Sequence, residues 1–93
     1  MAGSLNGIGS YATFNNPQGI AVDSLNNVYV ADSGNGLIRK ITSGGIVSTL
    51  AFGVSSGTGA YSLFNNPSGI AVGPNGVLYV SDTGNHRIVK IVL

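Results

Sequence analysis

Phe14-Asn15-Asn16-Pro17-Gln18-Gly19-Ile20-Ala21-Val22 returns 50 residues later as Phe64-Asn65-Asn66-Pro67-Ser68-Gly69-Ile70-Ala71-Val72. The offset still holds at Lys40 and Lys90. Setting residues 1–43 against 51–93 needs no gap and gives 20 identities in 43 positions, 16 of them between Phe14 and Ile41. One supersecondary unit is therefore written twice. A unit of this size cannot bury its own apolar faces and must stack on copies of itself, and stable stacks normally need about three or more. Two copies thus predict an assembly, or an excised piece of a longer array, before they predict any chemistry.

Within the first copy the apolar segments are short and rich in β-branched residues: Gly19 to Val22, Val28 to Ala31, Leu37 to Ile41 and Ile46 to Phe52. Each has the length of a strand and none that of an ordinary helix. Polar breaks at Asp23 to Asn27, Asp32 to Gly36 and Thr42 to Gly45 favour tight turns, and Pro74-Asn75-Gly76 marks the clearest turn of the second copy. Four strands on three turns predict an up-and-down antiparallel sheet. Ile20-Ala21-Val22 and Ile70-Ala71-Val72 lack polar alternation, as strands covered on both faces do, with the small alanine permitting close approach. Small four-stranded sheets packed face to face around an axis are β-propeller blades; a β-sandwich is the competing architecture but does not require a repeat.

The connector Gly53 to Asn66 contains Tyr61 and Phe64, which recur as Tyr11 and Phe14, and this predicts a packed crossover rather than a free loop. The second copy ends at Leu93, equivalent to Ser43, so its sheet is expected to hold only three strands. Residues 1–13 align with the connector and do not supply the fourth in register. Either the second blade stays short or an N-terminal stretch of another chain adds to its open edge. The units are read as 1–52, a first blade with its leading connector, and 53–93, a connector and a second, truncated blade.

Apolar residues make up 43% of the 93 and charged residues only 8%, against roughly 25% in an average soluble domain. So few charges predict that much of the surface is covered by something. The net charge of +1 provides no field to steer nucleic acid. The absence of cysteine excludes disulfides and thiolate metal sites. No apolar run approaches the roughly 18 residues of a membrane span, and Met1-Ala2-Gly3-Ser4 lacks signal-peptide character, reading instead as a start codon before a chosen fragment.

Asn66-Pro67-Ser68-Gly69-Ile70-Ala71-Val72 followed by Leu78-Tyr79-Val80-Ser81-Asp82-Thr83-Gly84-Asn85-His86-Arg87-Ile88 resembles the NHL repeat, a β-propeller blade family. The first copy departs at Gly36 and Leu37, where the second has His86 and Arg87. Known propellers of this family are mostly six-bladed, so the resemblance implies three chains of two blades closing a ring, with two or four chains as the other closures. It also implies a range of roles: protein-binding or RNA-binding modules, extracellular or sensor domains, and some lyase-type or hydrolase-type enzymes. A fold selects none of these.

Asp32 and Asp82 end second strands and precede Gly34-Asn35 and Gly84-Asn85, where a carboxylate can accept turn amides while Gly or Asn takes an unusual backbone conformation. With Pro17, Gly19, Pro67, Gly69 and Arg87 they form the expected structural motif. Cation binding is the functional alternative, but calcium loops need several carboxylates close in sequence. His86 is the only histidine and cannot build a zinc site within one chain. Arg39, Lys40, Arg87 and Lys90 lie on third strands, stems over apolar neighbours and charged ends reaching water or the turn aspartates. Tyr29, Tyr79, Phe14 and Phe64 read as core, not as RNA-stacking platforms. No base is spaced to activate a serine, and Gly7-Ile8-Gly9 and Gly57-Thr58-Gly59 lack the following helix of a phosphate loop.

The expected protein is a non-catalytic, cofactor-free, all-β propeller fragment whose partner is itself, most simply as a homotrimer. It could carry a protein or peptide ligand of a parent propeller. A fragment of a propeller enzyme and an RNA-binding module are the alternatives from other classes.

Overall fold

A computed structural model of the chain describes residues 6–8, 13–51, 53–55, 61–74 and 76–93. Short β-branched runs become strands because branched side chains pack well on a pleated surface, and Asn- or Gly-bearing turns separate them. The order is β1 (Gly7–Ile8), β2 (Pro17–Val22), β3 (Val28–Asp32), β4 (Leu37–Ile41), β5 (Ile46–Ala51), β6 (Gly53–Ser55), β7 (Tyr61–Leu63), β8 (Pro67–Gly73), β9 (Val77–Asp82) and β10 (Arg87–Val92). Single 3₁₀ turns at Ser33–Asn35 and Thr83–Asn85 follow β3 and β9.

The first antiparallel sheet runs β2-β3-β4-β5, as the repeat predicts, and a fifth, two-residue strand adds to it: β1 pairs with the outer edge of β5, Gly7 opposite Val47. The N-terminal segment thus lies on the first sheet of its own chain. The second sheet, β8-β9-β10, has three strands. In the connector β6 and β7 form a small hairpin, a local pairing that the glycine and serine content concealed. Phe64 is buried as a packed crossover requires. Tyr11 and the side chain of Tyr61, the other aromatics of that expectation, lie outside the described residues, as do residues 56–60 and the first four of the chain.

Register assigns the side chains to faces, since residues opposite one another on antiparallel strands share a face. Tyr29 and Ala31 lie with Ile38 on one face of the first sheet, and Ile20, Val22, Val28, Val30 and Ile41 lie on the other. In the second sheet Ile70, Val72, Leu78, Val80, Val89 and Ile91 share a face. That face packs on Tyr29, Ala31 and Ile38, with Phe64 closing one end, to form the core. The two repeats therefore stack like steps of a staircase: the upper face of one on the lower face of the other, not mirror-wise.

β2 and β8, the edge strands that stand innermost if the sheets are propeller blades, both begin with proline and carry a register shift between Pro17 and Gly19 and between Pro67 and Gly69. A residue without an N–H suits a strand start, and the bulge turns the chain out of the ladder. At this point the sheets touch backbone to backbone: a Cβ at Gly19 would lie 2.5 Å from the Ser68 carbonyl oxygen and 3.1 Å from Gly69 Cα. Gly19→Ala is expected to cost about 1–3 kcal/mol, the range for overpacking a tight contact. Gly44→Ala, where a Cβ meets only Thr42 Oγ1 at 3.9 Å, should stay within about 0.5 kcal/mol of the parent in denaturant titrations.

Candidate functional site

Two groups of residues are candidate sites: the aspartate that ends β3 and β9, and the uncovered sheet faces. Asp32 is fully buried. Its Oδ1 accepts the Asn15 amide at 2.7 Å, and its Oδ2 accepts Asn35 Nδ2 at 2.8 Å and Arg39 Nη1 at 3.0 Å. Asp82 repeats this 50 residues on: the Asn65 amide at 2.8 Å, Asn85 Nδ2 at 2.9 Å and Arg87 Nε at 2.7 Å. The Gly34 and Gly84 amides in turn donate to the Asn15 and Asn65 carbonyls at 2.8 and 2.7 Å. Each aspartate therefore clasps the loop before an innermost strand to the turn after the next.

These contacts correct the turn chemistry expected from sequence. The carboxylates receive a distant loop amide and an asparagine side chain rather than the amides of their own turns. It is Asp23 that holds a local turn, accepting the Leu25 and Asn27 amides at 2.9 Å each. Positive φ falls neither on Gly34-Asn35 nor on Gly84-Asn85, but on the residue after each 3₁₀ turn: Gly36 at 66° and His86 at 56°. A Cβ at Gly34 or Gly84 would come within 2.6 Å of Asn15 or Asn65 atoms, so these glycines serve close approach.

Arg39, whose charged end is expected to reach water or the turn aspartate, reaches Asp32 and is wholly buried. Besides Asp32 it donates to the Thr13 carbonyl at 2.8 Å and to Asn6 Oδ1 at 2.9 Å, and its guanidinium lies 4.8 Å above the centroid of the Phe14 ring. In the second copy Arg39 corresponds to Val89, and the cation comes from Arg87 instead. Residues two apart on a strand share a face, so the same carboxylate is met from either position. The ion pair is thus kept in space though displaced in sequence. Comparing the copies position by position hides this; noting that each copy places one arginine on the aspartate's face of its third strand reveals it.

Among the described residues no cluster of His, Cys, Asp or Glu could hold a metal ion. His86 is exposed on its turn. With every described partner of Asp32 and Asp82 a donor of the fold itself, the clasps are structural.

The uncovered faces differ in character. Ile20 is 68% exposed and Val22 55%, and with Phe14, Pro17, Gln18, Gly19, Val30 and Ile41 the former lines an apolar groove of about 330 Å³ on the first sheet. On the far side of the second sheet Tyr79, Ile88 and Val92 are exposed, so Tyr79 is not the core residue expected. Ile20, Val22, Tyr79 and Ile88 each have a more covered counterpart one repeat away. Tyr29 is 1% exposed against 41% for Tyr79, and Ile38 0% against 70% for Ile88. Pro67 is fully buried where Pro17 is exposed.

Two repeated antiparallel sheets stacked in one sense, each clasped by an aspartate, define a repeat protein of propeller-type blades. The NHL repeat profile matches residues 14–41 and 64–91, more than half of the chain, and the chain belongs to the NHL-repeat family. No curated protein matches the sequence. Solved structures do. A structural-genomics protein of unknown function from Bacteroides thetaiotaomicron is 28% identical with a TM-score of 0.82, over 97% of this chain and 24% of that one. Auxiliary nutrient binding proteins from B. thetaiotaomicron and Bacteroides ovatus are each 24% identical, with TM-scores of 0.77 and 0.79, over 97% and 99% of this chain and 26% of theirs. The chain therefore spans about a quarter of the length of these structures.

Removing Arg39 leaves a buried carboxylate without its cation, and Arg39→Ala is expected to cost about 3–5 kcal/mol. Arg87, 32% exposed, shares its task with water, so Arg87→Ala should cost less, about 1.5–3 kcal/mol. Urea titrations of both variants measure the order.

Acid acts on the same contacts. Burial pushes the Asp82 carboxyl up, but donation from Asn85, the Asn65 amide and Arg87 outweighs it, and the group lies below its ordinary 3.8. Asp23 is lowered too, burial being outweighed by the Asn27 amide and side chain, Tyr29 and the Leu25 amide. A folded value below the unfolded one stabilises the fold above the unfolded value and is lost as pH falls through the folded one. Stability should hold level above about pH 5 and decline below about pH 4, and Asp82→Asn should flatten part of that decline.

Proposed function

We propose that this chain is a non-catalytic scaffold that assembles with copies of itself, head to tail, into a closed propeller-like ring, with three chains contributing six blades. The single observation that carries this is the pairing of exposed and covered counterparts. The exposed side chains on the open face of the first sheet, Ile20 and Val22, match Ile70 and Val72, which pack against the core on the equivalent face of the second sheet. The open face of the second sheet (Tyr79, Ile88) likewise matches the buried face of the first (Tyr29, Ile38). A second copy is thus the complement of each open face, docked as the chain's own two sheets are docked. Such a contact is heterologous and propagates unless it closes into a ring. Covering each large apolar side chain is worth about 1.5–3 kcal/mol.

A ring of this kind offers a further role as a ligand-binding platform. The nutrient-binding names of two structural neighbours favour a small ligand over nucleic acid, as does the net charge of +1. The non-catalytic reading is supported by the clasp chemistry, which spends both strand-end carboxylates on structural donors.

Light scattering across a concentration series tests the assembly. The expected mass is about three times that of the 9.4 kDa chain, and Ile88→Asp, which plants a charge on the open face, should shift it to a single chain with unchanged β-sheet circular dichroism. A single-chain mass for the parent at every concentration overturns the reading.

A further inference from the structure

Apolar faces alone can slide; something must set how far one copy sits along the next. Inside the chain two residues of the first repeat grip the start of β8. Gly19 admits the Ser68 carbonyl to within 2.5 Å of where a Cβ would stand, and Ser33 Oγ donates a hydrogen bond to the Pro67 carbonyl. Their counterparts, Gly69 and Thr83, lie on the open side of the second repeat. Among the described residues a Cβ at Gly69 would meet only Ser81 Oγ at 3.1 Å and Cβ at 3.5 Å, and no backbone. Thr83 is exposed, and its hydroxyl lies 2.5 Å from Ser68 Oγ. A hydroxyl accepts as well as donates, so Thr83 can accept a hydrogen bond from Ser68 and turn its own O–H from the long contact with the Ser81 carbonyl, 3.5 Å, to a carbonyl of a neighbour. The corresponding grip target, Pro17-Gln18-Gly19, is open on the other side of the molecule, with Pro17 and Gln18 both exposed.

Resting on the assembly proposed above, we infer that Gly69 and Thr83 form a register lock for a second copy: Gly69 receives the Gln18 backbone carbonyl of that copy, and Thr83 Oγ1 donates to its Pro17 carbonyl. The lock makes Gly69 a glycine for a neighbour not yet present. This accounts for its return in the second repeat, where within the chain only the Ser81 side chain stands close to it. Because donor and acceptor stand on opposite faces of each chain, the lock admits head-to-tail docking only; two like faces bring either two grips or two targets together.

Two one-sided variants read this polarity. Gly69→Ala blocks the grip with a methyl group at the carbonyl's place, and Ile20→Asp blocks the target face with a charge. Each variant alone is expected to run as a single chain by light scattering at every concentration, and an equimolar mixture to shift toward a dimer as concentration rises, because each retains the face the other has lost. Formation of that dimer also shows both variants folded. Thr83→Val, an exposed change that keeps the side chain's shape and removes its hydroxyl, should raise the dissociation constant about fivefold, as loss of one intermolecular hydrogen bond does. Parent-like assembly of both Gly69→Ala and Thr83→Val overturns the lock while leaving self-assembly standing. A mixture that stays monomeric while either variant alone dimerises overturns the head-to-tail polarity. A parent protein that is itself a single chain removes the assembly and the lock together.

Discussion

Every blade of this kind has two apolar faces, and the geometry of stacking in one sense makes those faces different from each other. With two repeats there are four faces and only one contact between them. The core of this chain is that one contact: Tyr29, Ala31 and Ile38 from the first sheet against Ile70, Val72, Leu78, Val80 and Val89 from the second. The rest of the structure follows from having to hold two small sheets at the correct separation. Gly19 lets the innermost strands meet backbone to backbone, Phe64 closes the core from the connector, and the aspartate clasps fix the loops that lead into each innermost strand.

The clasps also show how a repeat can preserve an interaction while losing its sequence signature. The carboxylate must sit at the end of the second strand, where loop amide and turn asparagine converge on it, so Asp32 and Asp82 are fixed by geometry on both sides. The cation has more freedom, because any outward position of the adjoining strand on that face can reach the same oxygen. Arg39 takes the position nearer the strand middle, is fully buried, and there also ties down Asn6 and Thr13 of the leading segment. Arg87 takes the strand start, remains 32% exposed, and leaves the cap of the Leu63 carbonyl to Asn85 at 2.9 Å. A buried pair of this type adds little to stability over an apolar replacement, since desolvation offsets most of the attraction, but it penalises misplacement heavily.

The fold was readable from sequence where a local cause acts alone. The 50-residue offset located both sheets, and β-branched runs located their strands. The features that escaped are those set by contacts distant in sequence. Nothing in Gly7-Ile8 says that it will pair with Val47 and Ile46, nearly 40 residues away. The burial of Arg39 depends on Asn6, Thr13 and Phe14 arriving from the leading segment, and the repeat pointed away from it by aligning it with Val89. The open faces were legible as a shortage of charge and of partners, but which side chains lie bare, Tyr79 and Ile88 rather than Tyr29 and Ile38, is decided by which repeat lies on which side.

Whether exposed faces of this size sustain a complex depends on closure as much as on area. A single contact covers a few large side chains, Ile20 and Val22 against Tyr79 and Ile88, worth roughly 1.5–3 kcal/mol each. Bringing two chains together costs about 4–15 kcal/mol in lost translational and rotational freedom, so one such contact is close to balanced. An open dimer of this chain has one contact for two molecules and two faces still bare. A ring has one contact for every molecule and none bare, and its last contact forms within an already joined assembly, at the high effective concentration that linkage confers. In the proposed ring the same side chains, marginal in a pair, act together. The proposed assembly then behaves cooperatively, passing from single chains to closed rings with few open intermediates between them.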